Sequence, residues 1–134
     1  LGPLASCSAL RDLNGWSNRV ESLGSLSVLN LYSIYMGDND IDDISGLSGH
    51  HNLEYIALQH NDIEDISALS GLPNIQGSEL HDNDIESLDA LVNCPGLGEG
   101  DYLTLWDNDF SCSGEAASLQ TLRDRGIELS SGCE

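Results

Sequence analysis

The chain has 134 residues, enough for one domain with a continuous core and too few for two of ordinary size. It carries 23 aspartates and glutamates against four arginines and no lysine, a formal net charge of −19, which disfavours nucleic acid and anionic membrane as partners. No apolar run approaches the roughly 20 residues that cross a bilayer, and apolar residues at 40% of the chain, recurring regularly, argue against acidic disorder.

Residues 1–9 lack the basic start and sustained apolar stretch of an export signal and read as an N-terminal lead or the remnant of an upstream coil. A weak first coil follows, with Leu10 and Leu13 before Asn18 and Val20, Leu23 and Leu26 after it. The second coil sets Leu31, Ile34 and Met36 before Asn39, then Ile41, Ile44 and Leu47 after it. The third repeats this with Leu53, Ile56, Leu58, Asn61, Ile63, Ile66 and Leu69. In the fourth, Asn83 precedes Ile85, Leu88, Leu91, Cys94 and Leu97, and a final copy holds Leu103, Leu105, Asn108 and Phe110. Asn39, Asn61 and Asn83 each begin an Asn-Asp-Ile phrase, 22 residues apart. The step from Asn18 to Asn39 is 21 and that from Asn83 to Asn108 is 25, so three extra residues should bulge around Gly96 to Gly100. Gly15, Ser78, Gly100 and His50 stand where the pattern asks for leucine.

Alternating aliphatics before each asparagine suit a strand, and aliphatics every third residue after it suit a tight helical or extended return. Neither piece buries its apolar side alone, so the coils should stack into one core with their strands paired in a parallel sheet. A side-chain amide has two donors and an acceptor oxygen, and Asn18, Asn39, Asn61, Asn83 and Asn108 are expected to form an interior ladder that satisfies turn backbone groups.

The tail differs, as a closing element should. Ser113 is placed to cap a helix from about Gly114 to Arg125, with Ala116, Leu119 and Leu122 on one stripe, Gly126 as its stop and a short strand over Ile127 to Leu129. Four cysteines allow three full pairings. In the repeat register Cys7 and Cys94 fall at leucine slots four coils apart, roughly 19 Å, and read as buried small apolar residues. Cys112 and Cys133 bracket the tail; they form either a bridge contributing about 3 kcal/mol or two free thiols in a reducing compartment.

Through the phrases NDIDDISGLSG and NDIEDISALSGLPNI the sequence resembles the leucine-rich-repeat family, in particular the 22-residue type of bacterial internalins, over about residues 10 to 134. The tail from Ser111-Cys112 through Leu122-Arg123-Asp124-Arg125-Gly126-Ile127 resembles the C-terminal cap of many bacterial members. The resemblance implies an α/β fold of one domain: a right-handed solenoid with its parallel sheet on the concave face, 3-10 or extended convex segments, coils over 10–110 and a helix-strand cap over 111–134. It also implies action by holding a protein partner on the concave side, in a secreted or cell-surface setting.

Residues six, four and two places before each asparagine point to that face. Both tryptophans and three of the four tyrosines fall in this set. Since Tyr and Trp combine rigid contact area with a polar tip, the expected partner-binding residues are Trp16, Tyr35, Tyr55, Gln59, Glu79, His81, Tyr102, Thr104 and Trp106. A passive spacer, whose aromatics merely pack across the sheet, is the competing class.

Catalysis and cofactors are not expected. Asp38 to Asp42 begins like a calcium loop, but Asp43 replaces the turn glycine and Gly49 the closing glutamate. Asp40, Asp62, Asp84 and Asp109 form one carboxylate per coil, either solvated charge or a weak collector of cations such as calcium, and the acidity also fits a high-salt habitat. His60, His81, Glu79 and Asp82 fall on adjacent coils and are the candidates for acid-base or metal chemistry. Gly96 to Gly100 precedes a strand rather than a helix, unlike a phosphate loop.

Overall fold

A computed structural model describes residues 1–133. Six three-residue strands, β1 (Asp12–Asn14), β2 (Ser33–Tyr35), β3 (Tyr55–Ala57), β4 (Gly77–Glu79), β5 (Tyr102–Thr104) and β6 (Glu128–Ser130), form one parallel sheet in chain order. Their register runs Leu13, Ile34, Ile56, Ser78, Leu103 and Leu129 along the inner row. The returns are 3-10 turns at Gly24–Val28, Ser45–Leu47 and Ser67–Leu69, where three residues per turn keep Leu26, Leu47 and Leu69 pointing inward. This is the internalin-like solenoid, with the sheet on the concave side and short turns behind.

Each of the first five strands leaves through a residue with positive φ, namely Ser17, Asp38, His60, Asp82 and Asp107, between 53° and 58°. Short polar side chains tolerate the left-handed region better than bulky ones, and the asparagine that follows fixes the turn. Asn61 Nδ2 donates to the carbonyls of Leu58 at 2.9 Å and Met36, one coil earlier, at 3.1 Å, while its Oδ1 accepts from the Ile41 amide at 2.9 Å. Asn39, Asn83 and Asn108 repeat the arrangement toward Val20, Ile63 and Ile85. Asn18 differs: it is exposed and bonds only its own turn, at Gly15 and Trp16.

The core is a continuous aliphatic column in which Leu23, Leu31, Ile34, Met36, Leu53, Leu58, Ile63, Leu80 and Leu88 have no exposed surface. Each fully buried side chain of this kind contributes about 1.5–3 kcal/mol. The leucine missing at Gly15 is compensated by Met36, whose Sδ lies 2.5 Å from where a Gly15 Cβ would sit. At the other departure, His50 is buried with Nε2 unpartnered.

The long fourth coil takes up its extra residues in two places. Its return becomes a single helical turn, α1 (Asp89–Val92), and a tight turn follows in which the Gly98 amide donates to Asp101 Oδ2 at 2.7 Å. β5 still pairs with β4, Gly77 opposite Tyr102.

The cap carries two corrections. Its helix α2 is Ala116–Asp124, beginning later than Gly114, and Glu115 flanks the start without a side-chain cap bond. Ser113 does not cap it; the Ser111 hydroxyl takes the Gly114 amide at 2.8 Å and closes a turn that postpones the helix. Gly126, at φ 81°, ends it. Cys112 and Cys133 are bridged, with Cα atoms 5.5 Å apart. Cys94 is buried, but Cys7 is exposed, because the turn Gly2–Ser6 before it buries nothing.

Three of the four arginines serve the backbone. Arg125 reaches the carbonyls at the end of α1, Val92 and, at 3.3 Å, Cys94, tying the cap to the fourth coil. Arg123 donates to the Cys133 carbonyl at 2.8 Å and Arg11 to that of Leu10 at 3.0 Å. Among the described residues the one ion pair is His60 with Asp82.

Candidate functional site

The strand register lays three outward rows across the concave face. The first runs Asp12, Ser33, Tyr55, Gly77, Tyr102 and Glu128, and the second Asn14, Tyr35, Ala57, Glu79, Thr104 and Ser130. Two residues further along each strand come Trp16, Gly37, Gln59, His81, Trp106 and Gly132. Trp16, Tyr35, Tyr55 and Tyr102 are 36–39% exposed although each stands on a sheet.

Two rings lie across glycines. A Cβ on Gly37 would sit 2.7 Å from the Trp16 ring, and one on Gly77 would sit 2.2 Å from that of Tyr102. The neighbouring strand's missing side chain is what lets each ring take the space over that glycine while the residue keeps over a third of its surface in solvent. Trp16 is further held by Nε1 donating to Asp38 Oδ2 at 2.8 Å, and Tyr55 by its hydroxyl donating to Gln76 Oε1 at 3.1 Å.

A second group forms on the third to fifth coils. The His81 ring stacks on Trp106 with centroids 4.1 Å apart, shares a 2.7 Å hydrogen bond between Nδ1 and Thr104 Oγ1, and meets His60 edge-on at 5.4 Å. His60 Nδ1 in turn lies 2.5 Å from Asp82 Oδ2. Burial holds the His81 imidazole below its ordinary value of 6.5, the neighbouring His60 adding to this against Glu79, Asp82 and Asp107, so the ring is neutral at pH 7.

Gln59, expected as a contact, is instead buried at 5% exposure. Its Nε2 donates to Glu79 Oε2 at 2.6 Å and its Oε1 has no partner. His81, Thr104, Trp106, Gln59 and Glu79 therefore come together, Tyr35, Tyr55 and Tyr102 surround the middle of the sheet, and Trp16 stands apart on the first coil.

Thr104 and His81 form a hydroxyl-imidazole pair, but the carboxylate that would orient such a base is engaged elsewhere, Asp82 bonding His60. No group of three or more His, Cys, Asp or Glu side chains among the described residues has the geometry to hold a metal ion. Asp40, Asp62 and Asp84 are exposed at the start of the returns. Clefts of about 550, 140 and 130 Å³ lie beside the first coil and between convex turns, and none of these three is lined by a concave-strand residue.

Sequence reasoning missed the sixth strand's share of the face, Glu128 and Ser130, although the alternation of Ile127 and Leu129 with them is its signal. It also missed a second amide column, Asn30, Asn52 and Asn74, spaced by 22, in which Asn52 Nδ2 donates to Asn30 Oδ1 at 2.8 Å.

No protein-family model and no curated protein matches the sequence. Solved structures do. Internalin C2 of Listeria monocytogenes is 25% identical with a TM-score of 0.80, over 97% of this chain and 55% of that one. An internalin of the same organism, internalin F, is 20% identical with a TM-score of 0.67, over 98% and 44%. The chain thus spans about half the length of these proteins and has the fold of an internalin-like leucine-rich-repeat solenoid.

Proposed function

We propose that this internalin-like solenoid is a non-catalytic recognition module that holds a protein partner on its concave strand face, in a secreted or cell-surface setting. The observation that carries the reading is the segregation of the aromatics. Both tryptophans and three of four tyrosines stand on one face, and Trp16, Tyr35, Tyr55 and Tyr102 each leave over a third of their surface in water. Such rings are characteristic anchors of protein interfaces. A broad aromatic sheet face suits a macromolecule better than a small ligand, which favours enclosure. Among the described residues no helix is long and apolar enough to cross a membrane.

A spacer role is the alternative, favoured by the rings of Trp16 and Tyr102 packing on Gly37 and Gly77. Both residues keep over a third of their surface in solvent despite that contact. Capture of partner protein from the native environment separates the readings. With circular dichroism unchanged, Trp106→Ala and Tyr55→Ala should each weaken capture by about tenfold or more, as interface anchors do; undiminished capture by both identifies a spacer.

A further inference from the structure

The centre of the concave face has a chemistry of its own. Ala57 lies between Tyr35 and Glu79 in one row, and Gly77 lies between Tyr55 and Tyr102 in the next. These two small residues leave room among three phenol rings and one carboxylate. Tyr102 fills part of that room with its phenol end over Gly77, and the residue keeps 37% of its surface exposed. Glu79 stands half-buried at the side, and behind it the buried Gln59 amide donates Nε2 to the carboxylate while Oε1 is left without a donor.

Apart from the phenol hydrogens, the open groups at this spot accept: a carboxylate and the negative faces of aromatic rings. The phenol of Tyr102 is raised above its ordinary 10.0, first by burial and then by Glu79, Tyr35 and Tyr55, so the four groups share one electrostatic environment that penalises further negative charge. A planar cation answers all of them at once. A guanidinium stacks on an exposed ring, and its fork of N–H groups bonds a carboxylate, which a lysine ammonium does less well.

Resting on the recognition reading above, we infer that the Tyr35, Tyr55, Tyr102 and Glu79 cluster receives an arginine side chain of a basic protein partner. The charge of the chain agrees. With a net charge of −19, no lysine, and Arg11, Arg123 and Arg125 already bonded to its own backbone carbonyls, the protein supplies almost no free cation to this face.

The test titrates the intact chain with an octapeptide of alternating glycine and arginine, and with matched citrulline and lysine peptides, following tyrosine ring resonances by NMR at 0.15 M salt. Saturable shifts at Tyr35, Tyr55 and Tyr102 are expected, with arginine bound about tenfold more tightly than citrulline and measurably more tightly than lysine. Glu79→Gln should weaken arginine binding about tenfold, whereas Glu64→Gln, an equal charge change on the exposed convex side, should barely alter it. Tyr102→Leu should lose arginine selectivity even if Glu79→Gln proves unstable. Equal weakening by Glu79→Gln and Glu64→Gln would mean that only the overall charge attracts the peptide and overturns the inference. So does equal binding of arginine and citrulline. If the peptides fail yet partner capture still depends on Tyr55 and Trp106, the arginine site falls alone; if neither dependence is seen, the recognition reading falls with it.

Discussion

His81 lies flat against Trp106, its ring centroid 4.1 Å from that of the indole and the two planes inclined by 19°. Burial, to which this stack contributes, is the first cause of the lowered imidazole basicity. The stack joins the fourth coil to the fifth at the exit of their strands.

Removing the indole should therefore be readable in the histidine. In Trp106→Ala the His81 titration, followed by its ring proton resonance, is expected to move up toward 6.5, because water returns to the exposed face. An unmoved titration would assign the shift to His60 rather than to burial.

The amide ladder predicts unequal costs for the same substitution. Asn61→Ala removes bonds to Met36, Leu58 and Ile41 and strands buried backbone groups, at a cost of about 3 kcal/mol. Asn18→Ala removes contacts that water replaces and should cost about 1 kcal/mol or less. Urea unfolding of the two variants checks this, and equal midpoints would contradict it.

His50 gives a pH dependence. Burial lowers its basicity below the ordinary 6.5, the carbonyls of Leu47, Ser48 and Leu26 opposing this in part. The folded state therefore binds that proton less readily than the unfolded chain. Its contribution is fully present above pH 6.5 and is lost as pH falls from there through the folded value. The repeat places Leu72 one coil later at the same position, buried to 1% exposure. His50→Leu should thus stabilise the protein by about 1 kcal/mol at pH 7 and flatten the loss on acidification. A loss of stability between pH 6.5 and 5 equal to that of the parent would refute it.

The bridge between Cys112 and Cys133 closes the cap around α2, which packs beside α1 and buries Leu119 and Leu122 in the core. Reduction, or the double serine variant, should lower stability by about 3 kcal/mol in denaturant. The loss should be concentrated in the amide protection of α2 and β6, and uniform loss of protection would argue against a local lock.

The fold was legible because one spacing recurs: three Asn-Asp-Ile phrases at 22 residues place β2, β3 and β4, and the alternation before each asparagine sorts inward from outward residues. What could not be read were consequences of side-chain reach. Gln59 sits at an outward position, yet its amide is short of the surface because Glu79 on the next strand draws it down. Trp16 and Tyr102 take the space that Gly37 and Gly77 leave, a pairing that a strand pattern does not report. Ser113 carries a good capping side chain, but Ser111 takes the first free amide before it. The burial of Cys7 failed because register alone does not say whether a coil has a neighbour on both sides.

The asparagine bonds all point the same way: each side-chain oxygen holds an amide of the preceding coil, never of the following one. An inserted copy of 22 residues between Asn39 and Asn61 would meet the same requirements on both sides and leave the cap untouched. Duplication can therefore widen the strand face by one step of about 4.8 Å at a time, giving a lineage new contact area without redesigning either end.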